Sequence, residues 1–146
     1  MNYLYLGLGD LYLPAAAAAV HLQRRFPTEE ELLQLPYFRP ACPAEEGRLH
    51  LAGRDMFGHK VYLTFVSEHP DLFVRSLNSL LAVFALPGDT MQVIPVLPDD
   101  PRVRTLCRLL VRLGLPAAAN KLGLRLVRNH KSDLLGLAAW GKHPGG

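Results

Sequence analysis

Apolar residues recur along the chain with two different spacings, and the places where the spacing changes divide it into short elements. Residues 2–8 form an apolar run rich in Tyr and Leu, closed by Gly7 and Gly9, and are predicted as a buried strand. Pro14 stands where the first residue of a helix tolerates proline, and Ala15 to Ala19 are strong helix formers that carry the helix to Arg25, before Pro27. Thr28 and Glu31 have the spacing of a capping box, which predicts a short helix over 29–35 ended by Pro36. The proline-bearing stretch 37–47 is a loop. Residues 48–53 and 60–66 are strand-like, and in the second Val61, Leu63 and Phe65 alternate with Tyr62, Thr64 and Val66. With Gly58 between them they form a hairpin.

Farther on the period lengthens. Leu72, Phe73, Leu77, Leu80, Leu81 and Phe84 share one helical stripe over 70–85, and Pro87-Gly88-Asp89 ends it. Residues 91–97 are apolar over a strand's length, with Pro95 placing them at a strand end or a sheet edge. Residues 102–113 form a helix with Val103, Leu106, Leu109, Leu110 and Leu113 inward and Gly114 just past its end. A last short strand over 122–127, a last helix over 132–140 and a frayed tail over 143–146 complete the reading. The order implies a single α/β domain over 1–142. It is a Rossmann-like three-layer sandwich, with a mixed, partly parallel sheet and helices on both faces.

Composition narrows the class. The chain has 146 residues with 49% hydrophobic side chains, enough for a core without staples. Cys42 and Cys107 stand in no Cys/His cluster; two free thiols are expected, with one disulfide between them as the alternative. The N-terminus lacks a basic leader, and the uncharged run over residues 11–20 is half the length that spans a bilayer. A soluble, cytoplasmic protein without a membrane contact is expected. The net charge of +3 is unevenly spread: residues 1–101 carry −5 and residues 102–146 carry +8. Such polarity either marks a contact surface for an acidic partner or reflects arginine-rich solvated faces.

Candidate chemistry is sparse. Gly7-x-Gly9 ahead of a helix has the form of a phosphate-binding turn, with Asp10 and Tyr12 completing the candidate ligand site. Tyr12 occupies the third glycine position of the dinucleotide fingerprint, Pro14 removes an amide donor, and Asp10 is negative where an anion would lie. A tight strand-to-helix turn explains the glycines without a ligand. Arg104, Arg108 and Arg112 recur every fourth residue, and Lys121, Arg125, Arg128 and Lys131 extend a basic patch. Phosphate neutralisation by such a stripe underlies nonspecific nucleic-acid binding. Trp140 is the sole aromatic after Phe84, which disfavours single-strand stacking. The pairs Glu45-Glu46 and Asp99-Asp100 have no histidine beside them, so neither a metal nor a cofactor is expected.

Several stretches resemble a bacterial, Firmicutes-type family known as domain of unknown function 3189. They are residues 16–22 (Ala-Ala-Ala-Ala-Val-His-Leu), residues 27–33 running into Leu35-Pro36-Tyr37-Phe38, and Gly47-Arg48 through Gly53, Asp55 and Gly58 to Val61-Tyr62. A looser match covers residues 76–81. The resemblance implies an α/β fold and a cytoplasmic setting, and no activity. Family members carry a Gly-Gly turn with Thr, Ser or His after the first strand, whereas residues 6–13 here read Leu-Gly-Leu-Gly-Asp-Leu-Tyr-Leu. The strand at residue 91 is followed by a polar turn in the family and here by Val96-Leu97-Pro98-Asp99-Asp100. A divergent member with a degenerate ligand turn is the expectation, acting as a non-catalytic binding or interaction module. The alternatives are a phosphate- or nucleotide-handling enzyme using Gly7 to Tyr12, and a nucleic-acid or acidic-partner contact through the arginine stripe.

Overall fold

A computed structural model of the chain describes residues 2–8, 11–39, 45–67, 69–83, 91–96, 106, 109–110 and 112–141. Four strands, β1 (Asn2–Leu8), β2 (His50–Arg54), β3 (Lys60–Val66) and β4 (Met91–Val96), form one sheet in the order β2-β3-β1-β4. β1 runs parallel to β3 and β4, and β2 pairs antiparallel with β3 through the predicted hairpin. The helices are α1 (Tyr12–Gln23), α2 (Glu29–Gln34), α3 (Pro70–Val83), α4 (Pro116–Asn129) and α5 (Lys131–Gly141). The expected mixed α/β sandwich is therefore present.

The topology distributes the helices. The chain moves from β1 to β3 in one direction across the sheet and from β3 back past β1 to β4 in the other. Right-handed crossovers then put α1 on one face and α3 on the opposite one. Tyr3 and Tyr5 of β1 line up with Val61 and Leu63 of β3 beneath α1, while Leu4 and Leu6 point to the other face. All four β1 side chains are fully buried. That doubly covered position is why β1 reads as a continuous apolar run and not as an alternation. α1 is buried from Tyr12 to His21 because it lies between the sheet and the α4–α5 pair, so its apolar residues occupy every side.

Local signals act as predicted in several places. Thr28 Oγ1 accepts the Glu31 amide while the Glu31 carboxylate accepts the Thr28 amide, the reciprocal capping box, worth about 1 kcal/mol. Gly58 turns the hairpin with φ 81°. Pro95 lies in β4, an edge strand, where a missing N–H costs least.

Other expectations are corrected. α1 begins at Tyr12, so Pro14 is its third residue and not its first, still within the turn whose amides lack intrahelical acceptors. Residues 122–127 are helical, in the middle of α4, where Ala119, Gly123, Leu126 and Val127 point inward with helical spacing. The apolar stripe of α3 is only half covered: Leu72 and Leu80 are 60% and 54% exposed. Within the expected 102–113 helix, Leu106, Leu109, Leu110 and Arg112 are helical, Leu113 lies in a turn, and the rest lies outside the described residues. Leu106, Leu109 and Leu113 face solvent and not the core.

Candidate functional site

The carboxyl end of β1 is the position where open α/β sheets take ligands. The helices after β1 and β3 leave toward opposite faces, so the adjacent ends of these strands diverge. Of the turn residues singled out in the sequence, Gly9 and Asp10 lie outside the described residues. Gly7 is still in the strand, paired with Phe65 and Val96. Tyr12 is not presented to a ligand. It is 1% exposed, its hydroxyl donates to Asn120 Oδ1 at 2.9 Å, and its ring meets Phe38 edge-on. Gly123 of α4 leaves the room that the ring fills, since a Cβ there would lie 2.5 Å from Tyr12 Cδ1. Tyr12 is a packing residue that locks α1 to α4.

At the opposite end of β1 a chain of polar groups crosses the core. Tyr5 projects from β1 to His21 in the last turn of α1, with its hydroxyl 2.7 Å from Nδ1. His21 Nε2 is 3.0 Å from Asp55 Oδ2, and both side chains are almost wholly buried. The second Asp55 oxygen accepts the Phe57 and His59 amides at 2.9 Å, so this one carboxylate shapes the β2–β3 turn and ties it to α1. Burial pushes the Asp55 carboxyl up, but His21 and the two amides hold the charged form and leave it below the usual carboxylate range. Burial raises Tyr5 well above its ordinary value, so it stays protonated. An ionised Asp55 accepts only, so the hydrogen bond to it is donated by His21 Nε2–H, while Nδ1 meets the Tyr5 hydroxyl. His59 Nδ1 lies 3.5 Å from Asp55, and Tyr3 packs between the two imidazoles, with ring centroids 4.8 and 5.6 Å away. Sequence reading passed over this network. Its signal was Tyr5 on a strand buried on both faces, whose hydroxyl needs a partner inside.

A third feature lies beside β2. An apolar cavity of about 150 Å³ opens between α1, the segment after α2, and β2. Ala15, Ala18, Leu22, Tyr37, Ala52 and Leu63 are among its walls. Among the described residues, no group of three or more His, Cys, Asp or Glu side chains could hold a metal ion.

The family model described as Protein of unknown function (DUF3189) matches residues 2–139. The chain belongs to that family. No curated protein and no solved structure matches it significantly. His21 and Asp55 of this DUF3189 chain both lie among the residues that carry the resemblance. Arg104 and Arg108 lie outside the described residues, and Arg112 is exposed just before Gly114. Lys121, Arg125 and Arg128 share the exposed side of α4. Arg128 is ion-paired with Glu29, and Lys131 caps the Phe26 ring 5.1 Å from its centroid. Cys42, Cys107 and the Asp99-Asp100 pair also lie outside the described residues. No helix among the described residues is long and apolar enough to cross a membrane.

Proposed function

We propose that this DUF3189 protein is a non-catalytic α/β binding module, a divergent bacterial member working in the cytoplasm as one domain over 1–142 with a short tail. The observation that carries the reading is the cavity beside β2. Apart from Tyr37 its lining residues carry hydrocarbon side chains, so it offers a contact for an apolar group and no acidic, basic or thiol side chain. The polar groups that do cluster, Tyr5, His21 and Asp55, bond to one another and to the hairpin backbone, with their side chains almost wholly buried. Tyr12 is committed to α4 in the same way. The test is turnover: purified protein is incubated with nucleoside triphosphates, dinucleotides and phosphoesters, and no hydrolysis or transfer above a buffer blank is expected. Turnover that disappears in Asp10→Ala would refute the reading.

The divergence of the strand ends at β1 and β3 favours a second reading, a phosphate- or nucleotide-handling site at Gly7 and the residues after it. Thermal-shift titration decides between them. Stabilisation by millimolar phosphate or nucleotide supports the second reading, and a flat response supports the first.

A further inference from the structure

Among the described residues β2 ends the sheet, and its outer edge has no partner. In an antiparallel pair, alternate residues of each strand direct their N–H and C=O away from the neighbour. Among the described residues, the β2 backbone takes its hydrogen bonds from β3 alone. Edge strands are ordinarily blunted by charged side chains, proline or a cover. β2, with the sequence His50-Leu51-Ala52-Gly53-Arg54, has none of these in its middle, and Leu51 is 48% exposed. The register with β3 slips between Leu51 and Gly53, and this bulge at Ala52 turns a second residue of β2 into the wall of the apolar cavity. An unpaired strand edge therefore adjoins a hole of about 150 Å³, the size that accepts a benzene-sized apolar group.

The ends of the edge are charged. Arg48 stands two residues before β2 and Arg54 closes it, both exposed, and neither forms an ion pair among the described residues. The nearby acids are engaged elsewhere: Glu45 with Arg39, Glu31 with Arg25, and Glu46 with the Ser67 amide. At roughly 3.3 Å per extended residue, with Ala52 bulged out between them, the two guanidinium-bearing positions are less than about 20 Å apart. An added strand would meet them with residues roughly five to six apart in its own sequence.

We propose that the β2 edge binds an extended peptide as a fifth strand, with one Leu- or Val-sized side chain in the cavity and acidic residues facing Arg48 and Arg54. Main-chain bonding along the edge supplies affinity, and the cavity and the arginines select the sequence. This rests on the binding-module reading and names the partner's chemistry.

The probe is a fluorescein-labelled peptide, Glu-Thr-Val-Leu-Val-Thr-Glu, whose near-symmetry accommodates either strand direction, titrated with the full chain by fluorescence anisotropy. Saturable binding is expected, weakened at least tenfold when the terminal Glu residues become Lys or the central Leu becomes Asp. Arg48→Glu with Arg54→Glu, both surface changes, should favour the Lys-ended peptide instead. NMR amide shifts should move at residues 50–54 and not at β4, the other edge. No saturation by 1 mM, or equal affinity for Glu- and Lys-ended peptides, overturns the proposal. So does concentration-dependent pairing of β2 with a second copy. The Ala52→Leu variant fills the cavity from the edge and should lose the preference for a central Leu while keeping the charge preference; an unchanged preference also overturns it. Failure here leaves the turnover test of the binding-module reading untouched, and turnover would not by itself restore peptide binding.

Discussion

Replacing Gly123 by alanine sets two physical effects of opposite sign against each other. Gly123 lies inside α4, where alanine is favoured by about 1 kcal/mol through backbone entropy. Its Cβ, however, would lie 2.5, 2.6 and 2.7 Å from three ring carbons of Tyr12. Real Cβ atoms do not come so close, so the ring or the helix must move. The ring is held by Asn120 and by Phe38, and overpacking of a well-packed core costs about 1–3 kcal/mol. Three simultaneous clashes place the cost near the upper end and leave a net destabilisation of about 1–2 kcal/mol. For a chain of this size that lowers the melting temperature by roughly 3–8 °C. Gly136→Ala is the control. It is also helical, nothing lies within 4 Å of the new Cβ, and alanine there should stabilise by up to about 1 kcal/mol. Urea denaturation of both variants measures the contrast, and Tyr12→Ala should relieve part of the Gly123→Ala penalty in a double-mutant cycle. If Gly123→Ala were as stabilising as Gly136→Ala, Tyr12 would not be packed against α4, and its place in the candidate ligand turn would be open again.

Two further outcomes test the hairpin anchor and the α2 start. Asp55 has a folded-state pKa below its unfolded value, so its stabilisation is complete above about pH 4 and lost as the pH falls through the folded value. Asp55→Asn should be less stable at pH 7 and show a shallower loss of unfolding free energy below pH 4 in urea titrations. Parallel curves for the two proteins would mean that the carboxylate contributes no charge-dependent stability. Thr28→Ala removes the capping box and should cost about 1 kcal/mol, with Thr28→Ser recovering most of it; an unchanged denaturation midpoint for Thr28→Ala would refute the cap.

The sequence by itself determined the elements whose signals are local. The capping box needs only Thr28 and Glu31, the hairpin needs the alternation of 60–66 and a glycine, and one proline limits β4 to a strand end or an edge, of which the structure has the edge. It also marked β1 as buried, because a continuous apolar run suits a strand covered on both faces. Residues 122–127 were misread because Leu122, Leu124 and Leu126 suggest a two-residue period. The helix instead follows from Pro116 at its start and from docking Gly123 onto Tyr12, a contact between residues 111 apart. The stripes of α3 and of the 102–113 segment predicted helix correctly where the structure describes them, yet periodicity states only which residues share a face and not what covers it.

The candidate sites divide the same way. Gly7 and Tyr12 attracted attention through spacing, and only packing revealed that Tyr12 is enclosed by α4. Tyr5, His21 and Asp55 come from a strand, a helix and a turn, and the cavity beside β2 is walled by three segments. No local pattern encodes such meetings, because they depend on crossover handedness, which sets α1 over Tyr5 and the hairpin turn beside His21. The first strand was thus legible from the residues, while the enclosure of Tyr12 and, among the described residues, the open edge at β2 were decided by the way the layers close.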